Sequence, residues 1–231
     1  MPRRALANKR PYLVLSVVAA FAFYYLQASD LPELYLIPIK GSACAFLALY
    51  AFMRHHSRSG RLLTAAMGVA ALADMGIAMD FRLGGALFFV FHVIMIAMLA
   101  RHKRGMLEGR DSLVFLILLL GTPLVSYFLP SDDTLKWAVA LYALALGGMA
   151  ASAWASDFPR LRVGAGAVLF VISDLLIFAE LGPLSGSAIP EYLVWPIYYL
   201  GQFLITVGVV TTLRKRDPEL SVVQGGRETL H

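Results

Sequence analysis

Two aspartates lie near the middle of long apolar segments, where carboxylates are rare. Asp74 lies within LLTAAMGVAALADMGIAM and Asp174 within VGAGAVLFVISDLLIFAEL. A charged side chain at the centre of a bilayer costs at least ~2.5–3.5 kcal/mol on insertion scales, so such a residue usually marks a functional site. If one carboxyl is ionised and the other keeps its proton, the two supply a base and an acid. The pair therefore predicts acid–base chemistry inside a membrane, and a purely structural polar cluster is the alternative.

The composition predicts that these segments belong to an integral membrane protein. The chain of 231 residues is 59% hydrophobic and 15% charged, whereas soluble domains are nearer one half apolar and one quarter charged. We expect one domain over residues 1–231. The basic residues fall at segment ends and form no single patch, which argues against nucleic-acid binding. Cys44 is the only cysteine, so an intrachain disulfide and a multi-cysteine metal site are excluded.

The apolar segments predict an all-α bundle of eight transmembrane helices. A helix needs roughly 20 apolar residues to cross the ~30 Å hydrocarbon layer. The first segment follows four basic residues, and we interpret it as a retained helix and not a cleaved signal peptide. Small-residue runs at 146–153 and 164–167 predict close helix packing. The segments cover approximately residues 11–28, 33–53, 62–79, 83–100, 112–129, 135–155, 163–181 and 191–212.

The distribution of Lys and Arg predicts the orientation. With the N-terminus in the cytoplasm, 17 of the 20 basic residues fall on the cytoplasmic side, as the positive-inside rule requires. The opposite side holds Arg82 and Lys136, and Lys40 falls inside the second helix. Both termini are therefore predicted to be cytoplasmic, with residues 217–231 as a disordered tail. We expect the host membrane to be the plasma (inner) membrane of a bacterium.

Depth in the membrane predicts which polar residues could meet. At a rise of ~1.5 Å per residue, Asp74 and Asp174 lie roughly 18–20 Å from their basic anchors at the cytoplasmic ends of their helices. Lys40 could pair with one aspartate or reach the interface instead, and His92 could orient a reactant or simply join helices. The candidate substrate- or water-orienting residues at similar depth are Lys40, His92, Tyr142, Tyr198, Tyr199 and Gln202. Ser173 precedes Asp174, although adjacent residues do not share a helix face.

Two segments resemble the last two helices of the YhhN family of lysoplasmalogenases. GAVLFVISDLLIF, residues 166–178, is similar to the family pattern G-x-x-x-F-x-x-S-D, and YYLGQFLITVG, residues 198–208, is similar to Y-Y-x-x-Q-x-L-I. Weaker similarities involve Lys40, Asp74 and the FFVFH segment that ends at His92. The chain has Lys40-Gly41 where the family usually has Lys-Pro, and Ala73-Asp74 where it has Gly-Asp.

The resemblance implies hydrolysis of the alkenyl (vinyl) ether bond of a lysoplasmalogen, a single-chain phospholipid. The products would be a fatty aldehyde and glycerophosphoethanolamine or glycerophosphocholine. Asp74 and Asp174 would share the acid and base roles, and the polar residues at the same depth would orient water or substrate. This chemistry needs no metal or organic cofactor, and the partners would be the lysophospholipid and membrane lipids.

Two other functions remain open from the sequence. Intramembrane Lys, Asp and His residues also form proton relays, so a small proton-coupled transporter is one alternative. A scaffold or receptor with a structural polar layer is the other. The three readings differ in what an aspartate variant would lose, namely lipid turnover, transport or stability alone.

Overall fold

Eight helices, predicted from eight apolar segments, make up the described part of the chain. The computed structural model describes residues 11–216, so the predicted disordered tail and the basic residues before the first helix lie outside the described residues. The helices are α1 (Pro11–Leu26), α2 (Glu33–Arg54), α3 (Arg58–Met79), α4 (Phe81–Ala100), α5 (Gly109–Phe128), α6 (Asp133–Ala155), α7 (Arg160–Glu180) and α8 (Ala188–Lys215). The all-α prediction is confirmed for the described residues, and the length and apolar composition of the helices fit a multi-pass membrane protein.

Seven of the eight helices are long and apolar enough to cross a membrane. The exception is α1, whose 16 residues extend about 24 Å. Its buried side chains include Ser16, Ala20 and Phe23, so one face of α1 packs against the bundle. The structure thus establishes seven candidate spans among the described residues, where the sequence predicted eight.

The connections between several helices are short, and polar residues cap the helix starts. Asp80 alone separates α3 from α4, and its carboxylate accepts a 2.8 Å hydrogen bond from the backbone N–H of Leu83. Asp132 caps α6 in the same way, satisfying a donor that would otherwise be unpaired. The backbone N–H and the hydroxyl of Thr134 both donate to Asp132 and lower the pKa of its carboxyl. Successive helices therefore run antiparallel.

Two helices contain a π-helical turn that the sequence did not predict. In α5 it covers Ile117–Gly121, one turn before Pro123, and in α7 it covers Arg160–Gly164. Such turns occur where an extra residue must be absorbed into a helix. In α5 the widened turn faces α6, since a Cβ added at Gly147 of α6 would clash with the backbone carbonyl oxygen of Leu118. Pro38 in α2 and Pro196 in α8 lie inside their helices.

One end of the bundle is tied together, and we call it the closed end. The α4–α5 and α6–α7 connections exchange backbone bonds there, from Arg104 N–H to Ala155 O (3.0 Å) and from Asp157 N–H to His102 O (2.8 Å). The imidazole of His102 lies 2.7 Å from the hydroxyl of Ser59, and burial lowers the pKa of this histidine. At the same end the Arg216 guanidinium, beyond the last turn of α8, donates to Asp157.

The interior towards the closed end is filled by apolar side chains. Met95 and Met98 of α4, Met149 of α6 and Val209 of α8 are fully buried or nearly so. Phe158, in the α6–α7 connection, is also fully buried and packs against the His102 ring. Because this apolar filling blocks the closed end, a molecule reaches the polar groups in the middle of the bundle from the opposite end. We call that end the open end.

Candidate functional site

A cavity of about 1120 Å³ extends from the open end to the two aspartates. Its floor contains Asp74, Asp174, Lys40, Tyr142 and Tyr198. Its walls are mainly apolar and aromatic side chains from α1, α3, α4, α6, α7 and α8. Charged residues of the helix ends form its rim, and they are Asp80, Arg82, Glu180 and Glu191. The depth calculation thus predicted correctly that both aspartates share one buried site.

Asp174 accepts a hydrogen bond from Tyr142, which is in turn bonded to His92. The Tyr142 hydroxyl donates to Oδ2 of Asp174 at 2.7 Å, and Nε2 of His92 lies 3.1 Å from the same hydroxyl. The single hydroxyl proton of Tyr142 is used in the hydrogen bond that it donates to Asp174. The hydroxyl must therefore accept a hydrogen bond from His92, so we assign the histidine proton to Nε2. His92 is fully buried, and its Nδ1 has no hydrogen-bond partner among the described residues. The result is a linear chain from α7 through α6 to α4.

Asp74 has a tyrosine partner of its own. The Tyr198 hydroxyl donates to Oδ2 of Asp74 at 3.0 Å. The same hydroxyl accepts from Nε2 of Gln202 at 3.3 Å and lies 3.3 Å from Sγ of Cys44. Both carboxyls are almost completely buried, with Asp74 2% and Asp174 5% exposed. Each aspartate is therefore held by a tyrosine from a neighbouring helix, and that tyrosine is itself fixed by a further polar side chain.

Lys40 lies in the same cavity but forms no direct ion pair with either aspartate. Its ammonium lies 5.4 Å from the ring centroid of Phe23 and 5.8 Å from that of Trp195. Such cation–π contacts stabilise a cation by about 0.5–2 kcal/mol. The Trp195 indole N–H donates to the carbonyl of Ala20 at 3.0 Å, which fixes the ring. The Lys40 charge still interacts with Asp74. Lys40 therefore contacts two aromatic rings and does not form the salt bridge with an aspartate that its position allowed. We call the rings of Phe23 and Trp195 the aromatic seat of Lys40.

The remaining predicted residues fall into two groups. His92 and Gln202 are fully buried behind the two tyrosines and do not line the cavity. Tyr199 points towards α1, where its hydroxyl lies 2.8 Å from Ser16, and Ser16 donates to the carbonyl of Ala43. Tyr199 therefore joins α8 to α1 and α2 at a distance from the cavity.

Ser173 lies closer to the neighbouring carboxylate than helix geometry suggested. Its hydroxyl bonds to the Phe170 carbonyl at 3.0 Å and also lies 3.4 Å from Oδ1 of Asp174. A short side chain turned back along its own helix can reach the next residue, although longer neighbours diverge. Ser173 lines the cavity, so this part of the prediction agrees with the structure.

Sequence reasoning missed three parts of the site. Phe23 and Trp195 form the seat of Lys40, and Cys44 reaches the Tyr198 hydroxyl. Helical spacing contained a partial signal, since Lys40 and Cys44 are four residues apart and Trp195 and Tyr198 three apart, spacings that share a face. The contribution of α1 had no signal in the sequence, because it depends on how α1 packs.

Close contact between two glycines brings α7 and α8 together beside the site. A Cβ at Gly166 would lie 2.7 Å from the carbonyl oxygen of Gly201, and the reverse substitution would give the same distance. Only glycine permits backbones to approach this closely. The contact confirms the packing predicted from the small residues at 164–167, and it positions Asp174 and Tyr198 on facing helices.

The arrangement is suited to proton transfer in an apolar enclosure. The two carboxyls are close enough for their charges to interact. Asp74 accepts a hydroxyl hydrogen bond from Tyr198, and Asp174 accepts one from Tyr142 and a longer one from Ser173. In the part of the chain that the structure describes, no group of three or more His, Cys, Asp or Glu residues could hold a metal ion. The functional groups on the floor are thus carboxyl, phenol and ammonium groups.

Comparison with known proteins gives one match. A family model described as the YhhN family matches residues 35–209, about three quarters of the chain. The matched region begins in α2 and ends in α8, so it contains the whole floor of the cavity but leaves out α1. Neither the curated proteins nor the solved structures give a match.

Proposed function

This chain belongs to the YhhN family, and we propose that it is a membrane hydrolase that cleaves the alkenyl ether bond of lysoplasmalogens. The observation that carries the proposal is the pair of buried carboxyls, each bonded to a tyrosine, on the floor of one apolar cavity. An alkenyl ether is hydrolysed by an acid that protonates carbon and a base that activates water. The floor offers one carboxyl for each task.

The position of Lys40 supports an assignment of the two roles. Its charge interacts with Asp74, and an adjacent cation favours the ionised form of a carboxyl. Neither aspartate has a cation within ion-pair distance among the described residues. The Lys40 charge acts on Asp74 and not on Asp174, whose partners are the hydroxyls of Tyr142 and Ser173. We therefore assign the base to Asp74 and the acid to Asp174.

The reaction begins when the Asp174 carboxyl transfers its proton to the double-bond carbon that is not attached to the ether oxygen. The ether oxygen then shares the positive charge as an oxocarbenium ion, and the Asp174 carboxylate is stabilised by the Tyr142 hydroxyl. Water adds to the carbon bonded to oxygen and gives its proton to Asp74. The hemiacetal then breaks its bond to the glycerol oxygen, which takes the proton from Asp74. The Asp174 carboxylate takes the proton of the hemiacetal hydroxyl, so the aldehyde is released and both aspartates return to their starting states. Each positioned acid or base typically contributes 10²–10⁴-fold to the rate.

The membrane orientation is part of the proposal. The positive-inside rule places the closed end in the cytoplasm, with α1 as an eighth span and both termini cytoplasmic. The cavity then opens on the opposite side, where the headgroup of a single-chain lipid would reach water. A bacterial plasma membrane is the proposed location.

The deciding experiment compares two lipids that differ in one double bond. Purified protein in lipid nanodiscs is incubated with a lysoplasmalogen and with its saturated ether analogue, and the released aldehyde is measured. We expect aldehyde from the first lipid only. Asp74→Asn and Asp174→Asn should each lower the rate by about 10²–10⁴-fold. Asp30→Asn, at an exposed aspartate away from the cavity, is the control. Full activity in both floor variants would refute the acid–base assignment.

A proton-coupled carrier is the second candidate function. The observation that favours it is the chain from Asp174 through Tyr142 to His92, because linked titratable groups can relay protons. The packed closed end favours the hydrolase, since a carrier must open on both sides. Uptake of a solute into proteoliposomes, with no lipid turnover, would decide for the carrier over both the hydrolase and a scaffold.

A further inference from the structure

Arg82 is a cation without an ionic partner at the rim of the cavity. It lies in the first turn of α4, is exposed, and lines the cavity mouth. None of the salt bridges or side-chain hydrogen bonds among residues 11–216 involves it. The nearby Asp80 carboxylate is already bonded to the backbone of Leu83. The other cation predicted for this side, Lys136, is paired with Asp133. Arg82 is therefore available to a ligand anion.

The cavity wall is most accessible between α4 and α6. The residues that line it there include Ala86 and Phe89 of α4 and Ala138 and Leu141 of α6, all of them exposed, and Leu141 is 62% exposed. By contrast Phe178 of α7 and Trp195 of α8, which also line the cavity, are each 5% exposed. This accessible stretch is apolar, so it can face hydrocarbon.

The two helices come together again towards the closed end. A Cβ added at Gly148 of α6 would lie 3.3 Å from the side chain of Ile96 in α4, and Met95 is fully buried beside it. We call the accessible stretch, Ala86 and Phe89 of α4 with Ala138 and Leu141 of α6, the fissure. These residues line the cavity and are also exposed, and they lie in the half of the bundle near the rim.

The depths of the rim, the fissure and the floor match the dimensions of a single-chain phospholipid. Seven residues separate Arg82 from Phe89 and Thr134 from Leu141, a descent of about 10 Å at the rise of an α-helix. Glu180 is six residues beyond Asp174, or about 9 Å above it. In a lysoplasmalogen six bonds separate phosphorus from the alkenyl carbon attached to the ether oxygen, which is the carbon that water attacks. These bonds span roughly 7–8 Å. A phosphate at the rim thus leaves the ether on the floor and the hydrocarbon chain at the fissure.

We propose that Arg82 binds the phosphate of the lipid substrate, whose hydrocarbon chain lies in the fissure between Phe89 and Leu141. The inference rests on the proposed function for the identity of the lipid. It adds how the lipid is recognised and from where it enters. The lipid comes from the leaflet at the open end, and Arg82 selects phosphate-bearing single-chain lipids over neutral ones. The exposed carboxylates of Glu180 and Glu191 lie at the same rim, where a headgroup ammonium would meet them.

A binding experiment tests the phosphate contact without relying on turnover. The probes are a saturated 1-alkyl lysophospholipid and the matching 1-alkylglycerol, which has no phosphate, added to protein in nanodiscs and measured by quenching of Trp fluorescence. We expect the wild type to prefer the phospholipid. Arg82→Gln should weaken phospholipid binding about tenfold, as the loss of one hydrogen bond to a charged group implies, and should leave alkylglycerol binding unchanged. Arg82→Lys should retain part of the preference, and Lys136→Gln is the control.

A second pair of variants tests the fissure. Leu141→Trp fills it, whereas Leu144→Trp adds the same bulk one turn away, at an exposed position outside the cavity. We expect only Leu141→Trp to weaken binding of long-chain probes, with little effect on a short-chain analogue. Equal binding by wild type and Arg82→Gln, or equal effects of the two Trp variants, would overturn the inference. Arg82-dependent binding without aldehyde release would refute the proposed reaction and leave the binding site standing.

Discussion

Replacing Tyr142 with Phe removes one hydroxyl and tests the acid role of Asp174 directly. The ring keeps its edge contacts with Phe178 and His92, so packing is preserved. The variant leaves Oδ2 of Asp174 and Nε2–H of His92 without their partner. A hydrogen bond to a charged group is worth about 1.5–3 kcal/mol. In the proposed mechanism Asp174 gains its full negative charge only as the proton leaves, so this stabilisation would be lost mainly in the transition state.

At about 1.4 kcal/mol per tenfold change in rate, the expected loss in kcat is roughly 10–150-fold, with KM little changed. The assay is aldehyde release from a lysoplasmalogen under saturating conditions, alongside a binding measurement with the saturated analogue. Tyr199→Phe is the matched control. It also removes a tyrosine hydroxyl that is hydrogen-bonded, in this case to Ser16, but Tyr199 does not line the cavity. It should lower thermal stability and leave kcat near that of the wild type. The reasoning fails if Tyr142→Phe retains full kcat, or if its loss appears entirely in KM.

Three further outcomes follow from the structure. In the proposed mechanism a nearby cation favours the ionised form of Asp74, so Lys40→Met should lower kcat by at least about tenfold and Lys40→Arg should recover part of it. A wild-type rate in Lys40→Met would remove Lys40 from the mechanism. Gly201→Ala should lower the free energy of unfolding by about 1–3 kcal/mol, measured by thermal unfolding in detergent. The control is Gly68→Ala, where a Cβ meets nothing within 4 Å. Burial lowers the pKa of His102, so the folded protein disfavours its protonation. The stabilisation linked to neutral His102 is therefore present above the unfolded-state pKa of about 6.5 and is lost as the pH falls below that value. The thermal midpoint should drop as the pH falls below about 6.5, less steeply in His102→Gln, and an identical pH dependence in that variant would contradict this account.

The helices and the depth of the site were predictable because both depend on local geometry. A long apolar run has to form a helix in hydrocarbon, so the predicted segment 83–100 differs by two residues from α4. The rise per residue then placed Asp74 and Asp174 at one level without any knowledge of packing.

Rotation about the helix axis was not predictable in the same way. Tyr198 and Tyr199 are adjacent and differ little in depth, yet one bonds to Asp74 and the other to Ser16 on α1. Their side chains diverge by about 100° around the helix, and which of them faces the cavity depends on how α8 packs. The aromatic seat of Lys40 had to be missed for the same reason, since it combines rings from α1 and α8.

The closed end of the bundle determines on which side a molecule can leave the cavity. Ser59, His102, Asp157 and Arg216 connect the start of α3, two connections and the end of α8, and the buried methionines close the interior behind them. A molecule formed on the floor therefore leaves by the route its precursor used. In the proposed reaction the fatty aldehyde would partition into the bilayer through the fissure, while the water-soluble glycerophosphodiester would pass the rim. Turnover would then be vectorial, and it would return the headgroup to the compartment that the open end faces.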